Sequence, residues 1–118
     1  MRDDHVATVD KVTKLPSRPW ISVVTKVELE GGVFVQPALS ARRRRGLDEL
    51  LRVLPVIEFT SDMADAYGRV VAAKGFSRRL IADRMIAATA LVRHLTLMTT
   101  NGADFADIPD LKLETWTP

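Results

Sequence analysis

The sequence contains no cysteine, which excludes disulfides and thiolate metal sites and suits a reducing compartment. It also has no apolar run of transmembrane length, and its start, Met1-Arg2-Asp3-Asp4-His5, is too acidic for a secretory signal. These two features together predict a soluble, cytoplasmic protein. There is no glycine-rich phosphate loop, no serine nucleophile elbow and no zinc-ligand pattern, so several common enzyme classes drop out and a small nucleotide-binding α/β module is disfavoured. The two histidines, His5 and His94, lie far apart and lack metal-ligand spacing, so both read as structural. Neither sign of charge dominates. The net charge is +2, and a pI near 9.3 is only a mild hint of a polyanionic partner.

What remains is an ordinary globular composition. With 118 residues, 47% of them apolar and 27% charged, the chain can bury one core, and it reads as a single domain over 1–118 without repeats or low-complexity linkers. Val6, Val9, Val12 and Leu15 form a helical stripe over residues 3–15, ending before Pro16. A short β-branched strand follows at residues 20–24, and Thr25-Lys26-Val27-Glu28 reads as a capping box opening a helix at Thr25. A second helix is predicted over 38–54 with Leu47, Leu50, Leu51 and Leu54 facing the core, then a strand at 56–59. Ser61 is predicted to cap a helix reaching Lys74, with Gly75 as its stop. Another helix over 79–93 leads to strands at 95–98 and 111–115. Helices alternating with short apolar strands imply an α/β protein with a mostly parallel sheet covered on both faces.

In such a sheet, sites gather beyond the carboxyl ends of the strands. Glu28, Asp83, Asn101 and Asp104 all fall at such positions, giving three carboxylates and an amide. Crowded carboxylates repel and need neutralising, and a hard cation such as Mg²⁺ does this with oxygen ligands; it can also activate water and stabilise charge on a phosphodiester. Each residue has a plainer reading as well. Glu28 could close the capping box, and Asp83 could complement the helix dipole or pair with Arg79 four residues earlier. Asp83 nevertheless heads a face continued by apolar Ile86, Ala87 and Ala90, where an acid needs a partner. Asn101-Gly102 is a turn dipeptide, and Asp104 in the same loop could be a turn or cap residue. The run Arg42-Arg43-Arg44-Arg45 spreads around a helix and reads chiefly as solvated surface.

Three blocks, taken in order and spacing, resemble PIN-domain proteins of the VapC toxin type. They are Ile21-Ser22-Val23-Val24-Thr25 through Glu28-Leu29, Asp83-Arg84-Met85-Ile86-Ala87-Ala88-Thr89-Ala90, and Leu97-Met98-Thr99-Thr100-Asn101 through Asp104-Phe105. The resemblance runs from about Trp20 to Trp116. It implies a PIN-like three-layer α/β/α fold and an Mg²⁺- or Mn²⁺-dependent endoribonuclease cutting single-stranded RNA. It also implies a cognate antitoxin and a homodimer. Glu28 and Asp83 then match acidic metal ligands, Asp104 joins them, and Thr25, Thr99 and Asn101 supply polar groups to the pocket. Many relatives carry Asp at the position of Asn101, so a weaker metal site is expected here. The family opens with a strand ending in an Asp-x-Asn or Asp-x-Ser motif, whereas this sequence begins inside the helix that follows. It therefore reads as truncated at its N-terminus, without the family's first strand and its Asp; Asp3 and Asp4 suit a helix start better than that motif. The alternative is a non-catalytic PIN remnant that binds RNA or an antitoxin without cutting.

Overall fold

Ser22 decides where the first described helix begins. In the computed structural model, which describes residues 19–115, its hydroxyl accepts the Thr25 backbone N–H at 3.0 Å and its backbone is extended. Helix α1 therefore spans Val23–Val33, and the preceding strand β1 shrinks to Ile21–Ser22. The expected start at Thr25 is corrected. The Ser22 cap recruits Val23 and Val24 into the helix despite their β-branched side chains. Glu28 then lies in the second turn of α1, so the capping-box reading of its side chain no longer applies. The predicted helix over residues 3–15, with Asp3, Asp4 and His5, lies outside the described residues.

The chain divides into two compact units at Glu58 and Phe59. In the first, β1 pairs in parallel with β2 (Val56–Ile57), Ile21 opposite Val56 and Ser22 opposite Ile57. A 3₁₀ turn at Pro37–Leu39 leads into helix α2, Ser40–Val53. Leu47 and Leu54 are buried as the spacing predicts, with Leu50 and Leu51 half-buried. Val24, Val33 and Ile57 are also buried.

The arginine run on α2 is not one surface. Arg42 and Arg45 are exposed, but Arg43 is only 6% exposed and its Nη1 donates to the Gly32 carbonyl at the end of α1 at 3.1 Å. Arg44 forks onto Glu30 of α1 at 2.7 and 3.2 Å and bonds Asp48 at 3.1 Å. That guanidinium holds the Glu30 carboxyl below the usual carboxylate range. The reading of the run as solvated surface thus fails for Arg43 and Arg44, because the carboxyl end of α1 lies against them.

In the second unit, Thr60 rather than Ser61 is the N-cap, its hydroxyl accepting the Met63 N–H at 3.4 Å. Helix α3 spans Ser61–Lys74 and stops, as predicted, at Gly75, whose φ of 85° suits glycine. Helix α4, Ile81–Arg93, packs against α3. Met63, Ala66 and Val70 form the buried stripe of α3, while α4 buries Ala87, Ala88 and Ala90. Arg84, also buried, donates from Nη1 to the Gly75 carbonyl at 2.5 Å. Val70, Ala87, Phe105 and Ile108 make a core covered by Leu91, Leu97, Leu111 and Leu113.

Strand β3 is Leu97–Thr99 and β4 is Leu113–Thr115, paired in parallel with Leu97 opposite Leu113. Both are shorter than expected. His94, left-handed at φ 54°, and Leu95 spend their N–H groups closing α4, and Asp110 at φ 66° turns the chain before β4. Among the described residues, the architecture is therefore α/β with short parallel strand pairs rather than one long sheet. Within the same residues no helix is long and apolar enough to cross a membrane.

Two substitutions test these local arguments. Ser22→Ala is expected to lower unfolding stability by about 1 kcal/mol, measured by urea denaturation. An unchanged midpoint would argue for a helix start at Thr25. Arg43→Ala is expected to cost about 1–3 kcal/mol and Arg42→Ala no more than about 0.5 kcal/mol. Equal losses would mean that the arginine run acts as one surface after all.

Candidate functional site

Asp83 lies in the first turn of α4, half-buried, on the side continued by buried Ala87 and Ala90. Its carboxyl is pushed above the usual range, first by burial and then by the charge of Asp104; Arg79 pulls the other way. The charge of Arg79, four residues earlier, therefore acts on Asp83, and so does the charge of a second acid.

Asp104 reaches this position through the loop after β3. The Thr99 hydroxyl accepts the Asn101 backbone N–H at 3.0 Å, and the chain then enters a 3₁₀ turn at Gly102–Asp104. Gly102 lies close to the end of β4, where an added Cβ would meet the Thr115 hydroxyl and force that side chain to turn away. Asn101 closes the loop by donating from Nδ2 to Asp104 Oδ2 at 2.6 Å. The other oxygen of Asp104, Oδ1, lies 3.5 Å from Arg79 Nη1.

The second unit thus gathers Asp83, Asp104, Asn101, Thr99 and Arg79. Thr25 and Glu28 belong to the first unit, both on α1. The Thr25 hydroxyl accepts a hydrogen bond from Ser22 Oγ at 3.1 Å, and Glu28 is exposed. Among the described residues no three His, Asp or Glu side chains form a group able to hold a metal ion. What sequence reasoning misses is the tie between Arg79 and Asp104, because the two residues lie on separate elements and no spacing rule links them.

A cavity of about 470 Å³ also lies in this unit, lined in part by Arg69, Val70, Leu91, His94 and Asp110. It sits at the far end of α4 from Asp83 and includes neither acid of the pair. The cavity and the two acids therefore lie toward opposite ends of α4.

Comparison with known proteins bears on the fold and the family. The structure is similar to VapBC from Salmonella typhimurium bound to DNA, with 27% identity, a TM-score of 0.78, and coverage of 97% of this chain and 86% of that one. It is also similar to VapBC2 from Rickettsia felis bound to a DNA fragment from its promoter, with 27% identity, a TM-score of 0.76, and coverage of 98% and 87%. A third similar structure is VapBC-5 from Mycobacterium tuberculosis, of the VapBC family of toxin–antitoxin systems, with 27% identity, a TM-score of 0.71, and coverage of 98% and 94%. No curated protein matches. The family model for the PIN domain matches residues 1–111, nearly the whole chain, and the chain therefore belongs to the PIN domain family.

Proposed function

We propose that this chain is the toxin half of a toxin–antitoxin pair, a cytoplasmic endoribonuclease that cuts single-stranded RNA with Mg²⁺ or Mn²⁺. The observation that carries the reading is the Asp83 carboxyl, driven up by burial and by Asp104, in a chain of the PIN family. The donors around it are hard oxygens, with no thiolate or imidazole among the gathered groups. Mg²⁺ commonly takes one or two protein carboxylates and keeps several waters, so a pair of acids fits that ion. Asp83 and Asp104 would hold it. Such an ion supplies a water of lowered pKa and charge stabilisation at the phosphodiester. The protein's own groups do the positioning. Thr99 and Asn101 set the loop, the Asn101 amide fixes Asp104 Oδ2, and the packing of α4 holds Asp83 at the same place. An amide at position 101 adds no charge, which weakens attraction for a cation relative to Asp.

The antitoxin partner is supported by the similar VapBC structures, and the expected contact is an acidic or amphipathic segment lying over the carboxylate pocket. A homodimer is the expected assembly. Exposed apolar side chains support a covered surface: Val27, Phe34 and Val35 are 65%, 66% and 71% exposed.

Cleavage of single-stranded RNA should require Mg²⁺ or Mn²⁺ and stop in EDTA. Asp83→Asn should lower the rate by about 100-fold or more, as expected for losing several kcal/mol of charge stabilisation. The stability effect runs in the opposite direction. An acid whose folded pKa is raised binds more protons when folded, so its contribution to stability falls as pH rises from the unfolded value through the folded one. In EDTA at neutral pH, Asp83→Asn should therefore melt at or above the wild-type temperature, and the difference should shrink as pH falls into the carboxylate range. A large loss of stability at neutral pH would make Asp83 structural, and RNA binding without cleavage would favour the non-catalytic alternative. Light scattering at micromolar concentration should give the mass of a dimer; a monomer would contradict the assembly proposed.

A further inference from the structure

The reading above gives Arg79 no task, yet Arg79 touches one acid of the pair and acts on the other. Its Nη1 lies 3.5 Å from Asp104 Oδ1, and its charge opposes the upward push on Asp83. The side chain of Arg79 is 72% exposed, that of Asp104 only 21%. The two oxygens of Asp104 are met differently. Oδ2 takes a short bond, 2.6 Å, from a neutral amide in its own loop, whereas Oδ1 faces a flexible cation reaching in from the segment before α4. Asn101 therefore fixes the orientation of the carboxylate, and Oδ1 is the oxygen that can change partners without disturbing the loop.

We propose that Arg79 is a resident counter-cation of the Asp83–Asp104 pair, which steadies the metal-free site and yields Asp104 Oδ1 to a divalent cation when one binds. The proposal rests on the reading that this pair takes Mg²⁺ or Mn²⁺. An exposed ion pair is weak and screened by salt, so Arg79 can be displaced; while it stays near, its positive charge opposes an incoming cation. Arg79 is thus a positioning residue that trades metal affinity for order in the empty pocket.

The test is Mn²⁺ binding to the full chain by titration calorimetry, at low and high KCl, alongside melting curves in EDTA. Arg79→Gln should bind Mn²⁺ about two- to fivefold more tightly than wild type at low salt, the range that the loss of an exposed charge interaction allows. High KCl should narrow the difference. Arg79→Lys, which keeps the charge, should bind like wild type. Arg79→Met keeps the apolar stem and should follow Arg79→Gln. In EDTA both neutral variants should melt below wild type, and both should gain more from added Mn²⁺. Equal or weaker Mn²⁺ binding by the neutral variants would overturn the proposal. If Asp83→Asn and Asp104→Asn also bound Mn²⁺ as wild type does, the metal reading itself would fall and the proposal with it. If those two lost binding while the neutral variants were unchanged, only the role of Arg79 would be withdrawn.

Discussion

The site depends on where the fold holds Asp83, whose carboxyl is raised first by burial and second by the charge of Asp104. Asp83 cannot turn toward water by rolling α4, because the same side of the helix carries Ala87 and Ala90, both buried against the rest of the unit. The next residue, Arg84, points about 100° further round the helix axis and is committed to the Gly75 carbonyl. The helix is held from two directions, and its first turn, with the acid, is held too. Asp104 is fixed as firmly from the other side, through the Asn101 amide and the approach of Gly102 to Thr115.

Asn101 has two opposed effects in this arrangement. As an amide it brings no negative charge, which lowers attraction for a metal ion. It also donates to Asp104 Oδ2, which an ionised Asp could not do, since a carboxylate only accepts. An Asp at this position would add a third negative charge and release the carboxylate that Asn101 now orients. Substituting Asp for Asn101 would therefore change how Asp104 is held as well as add charge.

The parts of the fold that were legible in the sequence are those governed by spacing along one element. The inward side of α4 could be read from Asp83, Ile86, Ala87 and Ala90, and the stop of α3 from Gly75. The start of α1 was not, because Ser22 and Thr25 are both cap-forming residues and the intervening valines favour a strand. Strand lengths were overestimated for a related reason: His94, Leu95 and Asp110 are used up in ending one element and turning into the next. Partnerships between elements left no local signal. Nothing near Arg43 marks it as the partner of Gly32, and nothing near Arg79 points to Asp104.

The arginines show why a net charge of +2 says little about what the surface offers a polyanion. Among the described residues, each unit uses a buried arginine from one helix to meet a carbonyl at the carboxyl end of the helix before it: Arg43 on Gly32, Arg84 on Gly75. A helix carries partial negative charge at that end and leaves carbonyls without intrahelical partners, so both cations satisfy a need of the fold. Arg44 is shared between Glu30 and Asp48. Among the described residues, positive charge presented to water includes the exposed side chains of Arg42 and Arg45 in the first unit and of Arg69, Arg78 and Arg79 in the second. Attraction for a phosphate backbone depends on where such charges stand rather than on their sum. In the second unit, Arg79 stands against Asp104.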